Sequence, residues 1–378
     1  MALCYAPFLH RIVHTDGSTG LCCAANRDLE VGKDYSDWNS KDYQDIRSHM
    51  MFQKRLPEVC KRCQTKDEVG QYPHKETFNR LYDRLDRPRL DIETGTALDV
   101  PISLDLRMNS LCNLSCRMCG PEASSQIQKE ADKNPDLWPH WKDVKCEYKS
   151  FDATEIIENA GSIVDLKLLG GEPTVQPEAK AILKKLIEIG NTSIDLHITT
   201  NGTNINKEFY NMLSQFNGFV AVVFSIDGWG KTHEYIRGPA ADFETIWNNL
   251  KKLSKLKNIS YLSIQQTITI FNAFDWWKLY ENNDVGCNIM SNVADWPQRY
   301  EIINMPPYWK KLATDLAEQN MSDTNRKKTK HILHLLSKPG DSNHLKGVLQ
   351  YTDLMDSVRN QYAKDHCPIT YEMLKDIE

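Results

Sequence analysis

The sequence has no long apolar run. Its most hydrophobic stretches, such as Phe219 to Phe224, are strand-sized, well short of the roughly 18 residues that a membrane-spanning helix needs, so no membrane partner is expected. Positive charge is not in excess either: 46 Lys and Arg stand against 51 Asp and Glu, a formal net charge of -5 with pI near 6.1. Chains dedicated to polyanions are usually basic, and a nucleic-acid partner is not expected, although one basic run, Asn325 to His331, is present. The opening MALCYAPFLHRIVHTDG lacks a basic leader, an apolar stretch and a small-residue cleavage site, which reads as no signal peptide and a cytoplasmic location. Internal repeats and low-complexity tracts are missing too. With 40% hydrophobic and 26% charged residues in 378, the composition excludes wholesale disorder and allows two or three domains.

Cysteine is the residue in surplus. Eleven occur in a chain with no export signal, and in a reducing compartment clustered cysteines are read as metal ligands or redox groups before disulfides. Cys4, Cys22, Cys23, Cys60 and Cys63 lie near the start, Cys112, Cys116 and Cys119 form a tight triplet, and Cys146, Cys287 and Cys367 are scattered.

The pattern along the chain changes near residue 100. Residues 5 to 25 read as a β-hairpin, with Phe8 to His14 alternating, a turn at Thr15-Asp16-Gly17-Ser18 and a return strand from Leu21 to Ala25. A helix is expected from Lys41 to Leu56, stopped by Pro57, then Cys60-Lys-Arg-Cys63, then a helical piece over Thr77 to Leu85. The expected organisation is a module over 1–75, a linker over 76–100, an α/β body over 101–305 and a helical cap over 306–378. In the body, strands are expected at Ile102–Met108, Ile163–Leu169, Ile194–Thr200, Phe219–Ile226, Tyr261–Ile270 and Cys287–Ala294. Helices are expected at Ser124–Lys133, Glu178–Ile189, Lys207–Phe216, Phe243–Leu256 and Asp275–Asn282. Strands alternating with helices specify a parallel sheet, because parallel neighbours need a crossover. The strand count suits an open, partial (β/α) barrel with its ligand at the carboxyl ends of the strands.

The triplet follows the first of these strands as Asn109-Ser-Leu-Cys112-Asn-Leu-Ser-Cys116-Arg-Met-Cys119-Gly120. Cubane iron–sulfur clusters are usually held by four thiolates, so three leave one iron without a protein ligand, and an open position marks a reactive rather than a structural metal site. A zinc site is the alternative use of the same sulfurs. The triplet resembles the cluster motif of the radical S-adenosylmethionine superfamily, placed after the first strand of its six-strand partial barrel; Met118 stands where the family usually has an aromatic residue, and its soft side chain can fill the same gap. Further motifs fit the resemblance in order, the first three closing strands and the last following them. Gly170-Gly171-Glu172-Pro173 resembles the element that holds the cofactor's amino group, Thr200-Asn201-Gly202 closes the third strand, Ser225-Ile-Asp227 is similar to a ribose-contacting position, and Arg237 matches an arginine that pairs with the methionyl carboxylate. Any one of these could be an ordinary turn; with the triplet, four in sequence at strand ends are not explained that way. The resemblance implies a [4Fe-4S] cluster and S-adenosylmethionine, reductive cleavage to methionine and a 5′-deoxyadenosyl radical, hydrogen abstraction from a substrate, and an electron donor such as flavodoxin or ferredoxin.

Cys4, Cys22, Cys60 and Cys63 resemble the ligands of the auxiliary-cluster modules called SPASM and twitch, which normally follow the barrel; here the module precedes it, as in a group of twitch-domain radical proteins. A second [4Fe-4S] cluster is implied, with tetrahedral zinc on the same thiolates as the rival. Neighbouring strand positions point to opposite faces, so Cys22 and Cys23 cannot easily share one cluster, and Cys22 is preferred for its spacing from Gly17. Relatives with such modules mostly modify peptides by cross-linking, epimerisation or oxidation, which makes a peptide or protein the expected substrate; a nucleotide, sugar or RNA, and a non-enzymatic metal scaffold or redox sensor, are the alternatives. Cys146, Cys287 and Cys367 read as buried small hydrophobes, any one of which could instead donate a hydrogen atom. The 325–331 run reads as a solvated helix end, and Trp138, Trp141, Trp276, Trp277 and Trp296 as packing, with Trp296-Pro297 able to line a substrate mouth.

Overall fold

The computed structural model describes residues 4–26, 35–53, 55–84, 89–140, 151–295 and 297–377. Strands β1 (His10–Val13), β2 (Thr19–Gly20), β3 (Leu90–Asp91) and β4 (Thr96–Ala97) precede the main series. That series is β5 (Ser103–Leu106), β6 (Asp165–Leu168), β7 (Asp195–Thr200), β8 (Val220–Ser225), β9 (Ile259–Ile268) and β10 (Asn288–Val293), within a few residues of the six strands read from the sequence. One eight-stranded sheet runs β10-β9-β8-β7-β6-β5-β1-β2, and β3 pairs with β4 alone. The β1/β5, β5/β6, β6/β7 and β9/β10 pairs are parallel. Among the described residues the strand order is open, with β10 and β2 at its edges.

Register sorts the side chains. Leu104, Leu166 and Leu196 pair across β5, β6 and β7 and are fully buried, while alternation sends Ser103, Asp105, Asp165, Lys167 and His197 to the other face. On that face Ser103 donates to Asp165 at 2.5 Å and lies 2.7 Å from His10 Nδ1. Buried polar groups must be paired, and here each strand supplies its neighbour's partner.

Three expectations need correction. The return strand is not Leu21–Ala25 but the two-residue β2, and Leu21–Ala25 is turn, closed by the Ala25 N–H to the Cys22 carbonyl at 3.1 Å. The first strand starts at His10, because Pro7 sits at the start of a helical turn, Ala6–Leu9, where its missing N–H costs nothing. The hairpin also is not separate from the body: β1 lies between β2 and β5.

The chain falls into two compact units, Met1–Leu111 with Glu147–Ile198 and Lys207–Ala221, and Cys112–Cys146 with Thr199–Asn206 and Val222–Glu378. The first holds a core of Phe8, Leu9, Tyr43, Met50 and Phe78 on the helices Lys41–Phe52 and Lys75–Asp83. Arg47 is wholly buried there. Its guanidinium donates to the carbonyls of Pro7 (2.8 Å), Trp38 (2.6 Å) and Gly95 (3.2 Å) and to Asn39 Oδ1 (2.8 Å), and stacks 4.4 Å from the Trp38 ring. The second unit gathers Tyr235, Phe271, Trp276 and Tyr300 with the helices Pro307–Asn320, Lys330–Leu336, Val348–Arg359 and Pro368–Ile377; the helical tail shares one core with Ile268 and Ile270. No helix among the described residues is long and apolar enough to cross a membrane.

Arg47 fixes four acceptors that no apolar side chain could satisfy. Arg47→Leu is expected to destabilise the first unit by about 3 kcal/mol, the cost of orphaning buried acceptors, measured as a lowered midpoint in urea; an unchanged midpoint would remove this role.

Candidate functional site

Residues 109–120 form neither helix nor strand, so this thiol-bearing loop is shaped by bonds from its surroundings. Ser124 caps the helix Ser125–Lys133 through the Gln126 N–H and donates back to the Leu114 carbonyl at 2.6 Å. Cys112 is buried, and its sulfur accepts from the Leu114 N–H at 3.4 Å and lies 4.0 Å from Asn201 Nδ2. Asn201, just past β7, also donates to Asn113 Oδ1 at 3.0 Å, while its Oδ1 accepts from the N–H and hydroxyl of Thr203 at 3.0 and 2.6 Å. Thr200 receives the Gly202 N–H at 3.0 Å.

Cys116 has a guanidinium beside its sulfur. Arg237, at the end of the helix Lys231–Arg237, brings Nη1 to 3.7 Å from its sulfur and Nε to 2.5 Å from Asp227 Oδ2. The Cys119 thiol's hydrogen bond, against the cost of burial and helped by Arg237, draws the Cys116 thiol down to about 7; the same bond, with burial, pushes Cys119 up. Gly238 lets the helix end abut the loop: it has φ +94°, and a Cβ there would stand 2.7 Å from Ser115 Oγ. Met118 packs against the core of the second unit, and Ser225 ends β8 half-buried.

Asp227 is held more completely than its sequence suggests. Its Oδ1 takes the Thr267 N–H at 2.8 Å, its carbonyl takes Asn272 Nδ2 at 2.5 Å, and its N–H donates to His233 Nδ1 at 3.2 Å. This fixes His233 as the Nε2–H tautomer, and burial holds its pKa well below the ordinary range. Both Asp227 oxygens are therefore engaged with protein, one of them on Arg237. Thr267, Asn272 and His233 carry no motif of their own; only His233, four residues before Arg237, lies near a residue that the sequence pattern marks.

In the first unit, Gly170 and Gly171 have φ of +77° and +53°. A Cβ on Gly171 would run into the Leu111 carbonyl, and the Glu172 N–H donates to that same oxygen at 2.9 Å; Leu111 immediately precedes Cys112. Gln176 donates to the carbonyls of Asn109 and Gly170 at 3.1 and 2.9 Å. Glu172 is buried and turns Oε1 onto the N–H and hydroxyl of Thr174, at 3.1 and 2.7 Å, and Pro173 is buried beside it.

The amino-terminal cysteines also meet. Cys4, Cys22, Cys60 and Cys63 line one narrow cavity with Leu21, Met50 and Phe78. Burial, reinforced by neighbouring thiols, pushes Cys4, Cys22 and Cys60 each up to about 12. The Cys63 sulfur accepts the Lys75 N–H at 3.3 Å. Cys23 is outside this lining: it is exposed and lies 3.3 Å from His74 Nε2. Among the described residues no three His, Cys, Asp or Glu side chains stand in the geometry of one bound ion. The fit of either thiol set to a metal group rests on its donors: sulfurs only, each set gathered in one loop or cavity, with N–H groups aimed at Cys112, Cys116 and Cys63.

Other sites have plain roles. Cys367 lies in the second unit's core, and Cys287, half-buried, is pushed up to about 11 by burial. Trp276 is fully buried and Trp277 packs against the same core. Lys327, Lys328 and Lys330 are exposed on helix surfaces. Cys146, Trp141, Trp296 and the Trp138 side chain lie outside the described residues.

Residues 107–272 match the model of the radical SAM superfamily. The chain is 29% identical over 215 residues to the sporulation killing factor maturation protein SkfB of Bacillus subtilis (strain 168), covering 56% of this chain and 45% of that one; it thus spans about half the length of this curated relative. Among solved structures it is similar to anSMEcpe with bound AdoMet (18% identity, 56% of each chain, TM-score 0.39) and to Streptococcus suis SuiB bound to precursor peptide SuiA (15% identity, 59% and 47%, TM-score 0.39).

The positive φ at Gly170 and the 2.6 Å that a Cβ there would leave to Arg107 Cβ make Gly170→Ala strained twice over. It is expected to cost about 1–3 kcal/mol, read as a lower thermal midpoint. No change would mean that the turn relaxes freely.

Proposed function

We propose that this chain, which carries a radical SAM domain across residues 107–272, reductively cleaves S-adenosylmethionine and removes a hydrogen atom from a peptide or protein side chain, leading to a cross-link, an epimerised centre or an oxidised residue. The observation that carries the reading is the Arg237 guanidinium, fixed by Asp227 and laid against the Cys116 sulfur, at the loop bearing the three thiols.

Cys112, Cys116 and Cys119 would hold a [4Fe-4S] cluster, and Cys4, Cys22, Cys60 and Cys63 a second one. The first cluster with its bound cofactor supplies one-electron reduction of a sulfonium and the hydrogen abstraction that follows. The chain's own residues orient and neutralise. Arg237 offsets the negative charge of thiolates that are otherwise buried, which is costly unless paired, and its fork suits the cofactor's carboxylate. Asn201 fixes the loop through Asn113 and aims a donor at the Cys112 sulfur. The Gly170–Pro173 turn offers backbone at close approach and Glu172 a carboxylate for an ammonium group; Thr200 and Ser225 would contribute at the nucleoside. An electron donor of the flavodoxin or ferredoxin kind would reduce the first cluster. The peptide reading is supported by the maturation role in the name of the SkfB relative and by the resemblance of the amino-terminal cysteines to auxiliary-cluster modules.

Anaerobically reconstituted protein is expected to bind about eight iron per chain, two cubanes' worth; about four iron with one zinc would reject the second cluster. With dithionite, the protein should release 5′-deoxyadenosine, and Cys116→Ser should release none. Absence of that product from the iron-loaded chain would sink the reading. Arg237→Lys keeps the charge but loses the fork, and should weaken cofactor binding about tenfold, roughly 1.4 kcal/mol, with iron content unchanged.

A further inference from the structure

Between Cys116 and Cys119 lies a side chain that the proposed chemistry does not use. Arg117 is buried at 4% exposure. Its N–H donates to the Ile236 carbonyl at 2.8 Å and its Nε to the Tyr235 carbonyl at 3.1 Å, and its guanidinium sits 3.7 Å from the centre of the Tyr235 ring. Nη2 reaches Asp356 Oδ1 at 2.5 Å. Asp356 lies on the helix Val348–Arg359, more than two hundred residues along the chain, and is itself 1% exposed. Every contact of its carboxylate is a donor: Arg117, the Tyr235 hydroxyl at 2.8 Å and, on Oδ2, the Ala363 N–H at 2.6 Å.

The turn that follows is built to make this contact. Asn360, the one described non-glycine residue with positive φ, reverses the chain after the helix, a conformation that asparagine tolerates. The reversal delivers Gln361, whose Nε2 donates to the Glu234 carbonyl at 3.0 Å and whose own carbonyl lies 3.4 Å from Arg117 Nη2. Glu234, Tyr235 and Ile236 belong to the short helix that ends in Arg237, so the carboxyl-terminal segment grips the thiol loop and that helix together.

We propose that Asp356 is a positioning residue for the proposed cluster loop: acting through Arg117 and Tyr235, it sets the register between the Cys116–Cys119 turn and the helix that carries Arg237. A buried ion pair gives little net stability against an apolar replacement but enforces a single arrangement where all its partners are satisfied. The residues that follow 345 are then part of the site's scaffold, not only a cover. The role deepens the radical SAM reading, since a misregistered loop would present its sulfurs and Arg237 at the wrong separation, yet the clasp itself can be measured without any cluster.

The test uses the full chain as Asp356→Asn, which removes the charge and keeps the shape, and as Tyr235→Phe, which removes one donor to Asp356 and keeps the ring under Arg117. In chelator, with no metal bound, iodoacetamide labelling is followed by mass spectrometry at Cys116 and Cys119, with Cys287 as the internal reference. Labelling of both loop thiols relative to Cys287 should rise about tenfold in Asp356→Asn and two- to threefold in Tyr235→Phe, with near-ultraviolet circular dichroism retained in the latter. After loading, the electron paramagnetic resonance signal of the reduced first cluster should broaden in both variants, and its change on adding S-adenosylmethionine should shrink. Unchanged labelling and an unchanged signal in folded Tyr235→Phe would overturn the proposal even if Asp356→Asn fails to fold. If the unsubstituted chain never cleaves the cofactor while the labelling difference appears, the radical SAM reading falls and the clasp stands.

Discussion

The site depends on one cation being held still. Arg237 is held between Asp227 and the Cys116 sulfur with its side chain largely shielded, and a guanidinium in that position must be matched by negative charge. The Asp227 carboxylate and the Cys116 sulfur both lie against it. The side chain therefore cannot swing away without stranding a buried carboxylate. The web around Asp227, with Thr267, Asn272 and His233 each contributing a bond, makes that carboxylate immobile in turn. The expected ribose-contacting residue is, in its first duty, the anchor of the arginine.

The same economy governs the irregular segments. The thiol loop has no internal ladder of backbone bonds, so its shape is borrowed from Ser124, Asn201 and the helix before Gly238. The turn at Gly170 and Gly171 is likewise defined by what it presses against, Arg107 and the Leu111 carbonyl. Glycine is needed at these two positions because backbone meets backbone there with no room for a Cβ.

Much of this was legible in advance, and the limits have physical reasons. The six main strands could be read because each is a short apolar run closed by a turn signal. Cys22 lines the cavity and Cys23 lies against His74, but both stand in a turn, so the alternation of a strand is not what separates them. The start of the chain was misread because Phe8 to His14 alternates like a strand, whereas Pro7 favours a helical turn and only the second half of the segment pairs. No local pattern marks His10–Val13 as a neighbour of β5, since strand partners are chosen by tertiary packing rather than by sequence separation. Arg47, Arg117 and Asp356 were invisible for a related reason: a charged residue on a helix or in a loop reads as solvated until its distant partners are known.

The placement of β1 bears on how this module could have been acquired or lost. Because β1 lies between β2 and β5, and Ser103 of β5 bonds both His10 and Asp165, the amino-terminal segment is a rib of the same sheet rather than an appendage. Cutting the gene after the last amino-terminal cysteine would not yield a shorter working protein. It would bare the flank of β5, leave a row of unpaired amides and a half-bonded serine open to solvent, and invite pairing with another molecule's strand. Gain or loss of this amino-terminal segment in evolution would thus require re-edging the sheet, not merely splicing a bead from a string.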